Sequence, residues 1–391
     1  MTRISAIHRP SASTGERRAA ELIAGELEAA GARVRLEEET VHGTYWWPIG
    51  LLTGLAALAG LTGRRTLRLA AGLFSAAAVA DDVTAGPKWF RRRFLPRRTT
   101  TNVVAEVGDP NAERTVVLVS HHDAAHTGLV FHPELPRAIF RRRPDLLENA
   151  NTTPGTLWGA VGGPLMVALF PRRLGIFVCL GYVAAMADIG RREVVPGAND
   201  NATAVAALVS LAISLTVEPI PGLRMILVST GSEESFMEGM QAFGRRHFPE
   251  LPTDSTHVIC VDTVGSPHLL ALEGEGMLWM NEYPKDFLGL VKRCADELGV
   301  YLFPNLRLRN ATDGLVALRA GYPTVTFGSV DEFKIPTNYH WPTDTAENVD
   351  YGTVADCARL CRRVLEELAG SEPADVLEVP VQAGADHDHE N

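Results

Sequence analysis

The chain has 391 residues, 46% hydrophobic and 21% charged, with 37 basic against 47 acidic side chains and a formal charge of −10. That length is a prior for two or three domains and excludes a small scaffold that needs staples to hold its core. The acidity argues against a nucleic-acid partner, which calls for a basic face, and five scattered cysteines without CxxC spacing fit a reducing compartment better than a disulfide framework.

The first residues carry no apolar stretch of signal-peptide type. A helix is expected from Ser13 or Thr14, with Ala19, Leu22, Ile23, Leu27 and Ala30 on one face and Gly31 closing it. Arg33–Glu38 then alternates like a strand, so structure of soluble type starts before any long apolar segment.

Two apolar stretches follow. Val41 to Gly63 is uncharged, Arg64 and Arg65 mark a turn, and Leu69 to Ala80 is uncharged again up to Asp81. The plan recurs from Asn149 to Pro171, through Arg172 and Arg173, and from Leu174 to Ala187. Each reads as a helix, an Arg-Arg turn and a second helix, with one longer and one shorter leg. A spanning helix needs ~20 apolar residues. The short legs therefore cross only with snorkelling and bilayer thinning, or the hairpins dip in and return. The expectation is association with membrane lipid through the hairpins. Basic runs at Lys88–Arg98 and Arg137–Arg143, with Arg191 and Arg192, flank the hairpin bases. They place the body on the cytoplasmic side. The acidic stretch 371–391 is expected to be disordered.

Elsewhere short apolar runs alternate with helical stretches. Strands are expected at Asn102–Val107, Thr115–Val119, Leu223–Val228, His257–Val261 and Thr324–Phe327. Helices are expected at Ala202–Leu215, Met237–His247, Pro284–Leu298 and Tyr351–Ala369. Such alternation predicts an α/β fold with a mainly parallel sheet, whose ligands sit beyond the carboxyl ends of strands. Polar groups stand at those ends: His121-His122-Asp123, Glu233-Glu234 and Asp262. Gly197 to Asn201 opens a helix, and Tyr339 to Asp344 lies in a late loop.

Imidazole and carboxylate without thiolate suit a catalytic zinc pair. Two cations ~3.5–4 Å apart need an anion between them. An aspartate two residues past a ligand histidine can accept its free ring N–H. In an adjacent Glu pair, one carboxylate can bind metal while its neighbour serves as a base.

The pieces TNVVAEV, VLVSHHD, GANDNATAVAALV, TGSEESFMEGMQAF, VDTVGS and YHWPTDTAENVD occur in this order. Together they resemble the co-catalytic zinc exopeptidases of bacterial aminopeptidase type, relatives of glutamate carboxypeptidase and glutaminyl cyclase. The resemblance implies a three-layer α/β/α fold with a mixed, mainly parallel sheet and two Zn2+ per chain. It implies His121 and Asp262 on one zinc, Glu234 and His340 on the other, and Asp200 bridging both, with a cis bond to Asn201. It further implies Glu233 as general base, Asp123 behind His121 and Asp344 as a supporting partner. Thr312-Asp313-Gly314 stands where the family often has Ser-Asp-His, and His122 and His126 are read as bystanders.

The organisation expected is one discontinuous catalytic domain (1–40, 99–148 and 189–370) with hairpin inserts at 41–98 and 149–188. The function expected is a membrane-associated metallopeptidase, an aminopeptidase that hydrolyses the N-terminal amide of peptides, hydrophobic ones included, by a metal-bridged hydroxide. The alternatives are an N-acyl amide hydrolase or glutaminyl cyclase on the same scaffold, or a non-catalytic membrane receptor.

Overall fold

The computed structural model describes residues 1–370; the stretch 371–391, expected to be disordered, lies outside the described residues. Ten strands occur in chain order: β1 Arg33–Val41, β2 Arg98–Gly108, β3 Arg114–His121, β4 Leu223–Thr230, β5 Thr256–Val261, β6 His268–Ala271, β7 Gly274–Glu275, β8 Asn281–Glu282, β9 Arg307–Leu308 and β10 Thr324–Val330. Seven form one sheet in the order β1-β2-β4-β3-β5-β10-β6. Its centre is parallel (β4 with β3, β3 with β5, β5 with β10), and β1, β2 and β6 run antiparallel to their neighbours. Val116 to Val119 in β3 are buried on both faces, which is why that strand reads as an unbroken apolar run rather than an alternation.

Helices cover both faces. On one side Thr14–Ala29, Thr203–Val217, Lys285–Leu298 and Tyr351–Ala369 pack into a core with Leu27, Leu208, Leu211, Phe287 and Leu360. On the other, Glu238–His247 and Asp313–Arg319 share a core with the feet of the apolar helices, through Met240, Phe243, Leu315, Ile49, Val79 and Met186. The result is a three-layer α/β/α sandwich. The first helix starts where its sequence says, since Ser13 Oγ accepts from the N–H of Glu16 at 3.1 Å.

The apolar stretches form four helices: Trp46–Leu61, Arg65–Val83, Trp158–Ala168 and Arg172–Ile189, of 16, 19, 11 and 18 residues. They pack in a ring, 46–61 against 65–83 and 172–189, and 158–168 against 65–83 and 172–189. Counting uncharged residues makes 149–171 the longer leg of the second pair, whereas the structure makes it the shorter helix. Pro154 and Gly155 keep the segment before Trp158 non-helical, and Thr152 instead bridges to Arg307. Conversely, Arg65, Arg68, Asp81 and Asp82 are all helical in Arg65–Val83, because charge ends an apolar run without ending a helix. Among the described residues, the one helix long and apolar enough to cross a membrane by itself is Ala198–Val217, which is mostly buried. It is a core helix of the sandwich.

Both feet of the first helix pair are tied to the loop after β4. Arg91, fully buried, meets Asp82 through Nε at 2.6 Å, donates to the Ser235 carbonyl at 2.8 Å and lies 3.3 Å from Glu238 Oε2. Glu238 also accepts from the backbone N–H of His42 at 3.1 Å and of Gly43 at 2.8 Å. Arg91→Met leaves two buried carboxylates without their cation. It should lower stability by about 3–5 kcal/mol, read as a fall in thermal melting temperature.

Candidate metal centre

Strands end where the chemistry begins. β3 delivers His121 at its last residue, and the segments just past β4 and β5 deliver Glu233, Glu234 and Asp262. The turn of 198–202 supplies Asp200, and the loop after β10 supplies His340. Three groups of ligand atoms, each drawn together within 4.8 Å, share members: His121 with Asp200 and Asp262, Asp200 with Glu234 and His340, and His121 with Glu233 and Glu234. The structure therefore brings all five expected ligands and the expected base into one cluster.

Asp200 stands at the middle. Its Oδ1 lies 3.2 Å from His121 Nε2 and its Oδ2 lies 3.2 Å from His340 Nε2. Glu234 Oε2 is 3.3 Å from His340 Nε2, and Asp262 Oδ1 is 3.8 Å from His121 Nε2. The Asp200–Asn201 peptide bond is cis. Asp123 Oδ1 sits 3.4 Å from His121 Nδ1 and accepts from the Glu233 N–H at 3.1 Å. Its Oδ2 accepts from the Glu234 N–H at 3.1 Å and from Ser11 Oγ at 2.6 Å. One carboxylate thus orients a histidine and the backbone of both glutamates.

Asp344 accepts from the N–H of Asn199 at 2.7 Å and of Asp200 at 3.1 Å, fixing the turn that carries Asp200. Asn201 donates to the Val261 carbonyl at 3.2 Å and accepts from the Thr263 N–H at 2.9 Å, so it brackets Asp262. His122 and His126 lie outside the cluster: His122 Nδ1 is 3.0 Å from Ser229 Oγ, and His126 Nδ1 is 2.9 Å from the Arg192 carbonyl. Burial lowers the His122 imidazole to about 3, which keeps it neutral.

The electrostatics fit cations. Burial, with the charges of Asp313, Glu234 and Asp262, pushes the Glu233 carboxyl well above its usual range against the pull of His121. Burial also raises Asp313 to about 7 and, joined by the charge of Asp200, Asp344 to about 7. Burial opposes the charged form of His340, yet Glu234 and Asp200 lift it to about 10. Acids that hold protons beside histidines that will not release them mark an excess of negative charge. Glu234 Oε1 is moreover a buried oxygen without a hydrogen-bond partner. Two imidazoles and three carboxylates, none of them sulfur, match the donor set of a zinc pair.

Of the other residues at this site, Arg9 carries no signal in the sequence reading, and Asp313 and Tyr339 are met there without a role. Arg9, fully buried, donates to the carbonyls of His122 at 2.7 Å, Pro196 at 2.5 Å and Gly197 at 2.6 Å, joining the two loops that present His121 and Asp200. Asp313, at the start of its helix, accepts from the Thr230 hydroxyl just before the Glu233 loop. Tyr339 stacks on His340 with ring centroids 3.9 Å apart. Left-handed backbone at Ser232, Phe236, Met237, Thr263 and His340 clusters on the loops that hold the site, where such conformations persist only if their surroundings impose them.

Residues 182–365 match the family model described as peptidase family M28. That span contains Asp200, Glu233, Glu234, Asp262 and His340, while His121 and Asp123 precede it. No curated protein sequence matches. Solved structures with the same fold include a leucine aminopeptidase precursor from Bacteroides thetaiotaomicron, at 14% identity and a TM-score of 0.54 over 93% of this chain and 92% of that one. A glutaminyl cyclase from Tannerella forsythia follows at 16% identity and a TM-score of 0.57, over 93% and 94%. An aminopeptidase from Aneurinibacillus sp. strain AM-1 aligns at 13% identity and a TM-score of 0.53, over 97% and 94%. At such identities the likeness carries the fold, and the match to peptidase family M28 over 182–365 supports a zinc-dependent hydrolase.

Proposed function

We propose that this chain is a membrane-associated di-zinc aminopeptidase, its catalytic body on the cytoplasmic side, hydrolysing the N-terminal amide bond of peptides. The observation that carries the reading is Asp200, which turns one oxygen toward each histidine while Glu233 stands beside them. His121 and Asp262 would hold one zinc, His340 and Glu234 the other, and Asp200 both. When bound, the ions would polarise the scissile carbonyl and activate a water. Glu233 takes the proton of the attacking water and returns it to the leaving amine, the role its raised affinity for protons suits. Asp123 holds His121 and the Glu233 backbone in register for that transfer. The substrate's free α-amine meets the same cluster of carboxylates, which restricts cleavage to the terminal residue. The basic runs beside the hairpin feet support the cytoplasmic orientation.

The test is metal analysis of the purified chain with two substrates, a leucyl-anilide and a glutaminyl peptide. The expected result is two zinc per chain and hydrolysis of the anilide. Near-zero metal would return the chain to a non-catalytic receptor, and cyclisation of the glutaminyl peptide alone would make it a cyclase.

A further inference from the structure

The four apolar helices are packed inside out relative to a water-soluble bundle. Their interior is lined by small residues, and the helices approach so closely that side chains have no room. A Cβ on Gly72 would lie 2.6 Å from the Pro164 carbonyl, and one on Gly175 would lie 2.5 Å from the Val167 backbone nitrogen. Large apolar side chains point outward instead: Leu58 is 66% exposed, Phe177 75% and Phe170 85%. In water this arrangement forfeits the burial that would hold the bundle together. In hydrocarbon the outer face costs nothing, and close small-residue packing is what associates helices.

The ends of the bundle are polar in a way that sets its depth. At the feet, near helix starts, stand exposed Trp47, Trp89 and Trp158. Trp158 Nε1 donates to the Met277 carbonyl of the catalytic body at 2.8 Å. Exposed indole rings at helix feet, next to basic flanks, are the mark of a headgroup plane. The tips carry Arg64, Arg65, Arg172 and Arg173, and Arg68 reaches the Val167 carbonyl at 3.1 Å. A bundle that dipped halfway would leave these guanidinium groups in hydrocarbon at roughly 2.5–3.5 kcal/mol each. The helices of 19 and 18 residues are about 28 and 27 Å long and those of 16 and 11 residues about 24 and 16 Å, against ~30 Å of hydrocarbon. The shorter legs therefore cross where the bilayer thins around the bundle. No leg has the length and apolarity of a solitary spanning helix, so the four cross together or not at all.

The feet adjoin the metal centre. Trp46 packs on His126 with ring centroids 4.6 Å apart, and Tyr45 stacks on Phe236 of the glutamate loop at 5.1 Å. Asp188, at the foot of the last helix, accepts from the Leu129 N–H at 2.7 Å, which holds exposed Leu129 and Val130 beside that foot. Phe131 next to them lies 4.5 Å from the His340 ring.

We propose that the four helices cross a lipid bilayer as one unit, tips on the far side, and that the site at their feet takes amides whose carrier is anchored in that bilayer. The proposal rests on the metallopeptidase reading for its chemistry and on the bundle alone for its topology.

The test reconstitutes the full zinc-loaded chain into vesicles of phosphatidylcholine and phosphatidylglycerol. Thr62→Cys at the tip and Glu113→Cys at the N-terminal end of β3 are each probed with a membrane-impermeant maleimide, all five native cysteines being buried. Crossing gives complementary labelling: the fraction labelled from outside at the tip equals the fraction protected at Glu113→Cys. Near-complete labelling of both sites from outside, so that the two fractions sum well above one, overturns crossing, as does a detergent-free dimer that ignores vesicles, in which a second copy covers the outer face. In the same vesicles a leucyl peptide with a C-terminal palmitoyl chain should be cleaved at least tenfold faster than the peptide without it. Equal rates overturn the anchored-substrate inference. Zinc content and hydrolysis of the soluble anilide, measured in detergent, report on the metallopeptidase reading independently of either result.

Discussion

Glu233→Gln should lower kcat by about 10²–10⁴-fold while leaving zinc content and melting temperature at the parent level. Glutamine matches the shape of glutamate but cannot take a proton. The Glu233 backbone N–H stays on Asp123 whichever side chain it bears, so the loop keeps its place. His121, Asp200, Glu234, Asp262 and His340 are untouched, which separates the loss of a base from the loss of metal. Steady-state kinetics on a leucyl-anilide, beside metal analysis of the same preparation, checks the expectation. Parent-level turnover would remove Glu233 from the mechanism.

Asp200→Asn should strike binding as well as rate. The two oxygens of Asp200 face different histidines, and an amide offers one neutral oxygen and one N–H donor in their place. The expected outcome is one zinc or less per chain and at least a thousandfold loss of activity. The stabilisation that added zinc gives the parent should vanish too, about 2.7 kcal/mol at a hundredfold excess over its dissociation constant. The check is thermal melting of parent and variant after chelation, with and without added zinc. A variant that regained the parent's zinc-dependent rise would show that Asp200 holds no metal.

Much of the scaffold was legible because its strands announce themselves locally. The runs in β2, β3, β4, β5 and β10 are apolar and bounded by polar residues, and the chemistry stands immediately after three of them. β6 escaped notice, since four residues at a sheet edge leave too short a pattern. The residues missed at the site share one trait: they act on backbone atoms far away in sequence. Arg9 grips carbonyls more than a hundred residues distant, and Ser11 reaches Asp123, with nothing around either to mark the partner. Asp313 was noticed only as a departure from a motif, although it lies close enough to Glu233 to raise its proton affinity. The apolar helices were visible as uncharged runs, but their lengths were not, because helix ends obey proline, glycine and capping rather than charge.

Glu238 gives the molecule a mechanical property. It takes hold of the chain where the first helix pair begins and, through Arg91, where that pair ends, while sitting five residues beyond Glu233. Helix pair and Glu233 loop therefore share a buried anchor in Glu238 and Arg91. A tilt of the helices is thereby coupled to the loop that carries Glu233.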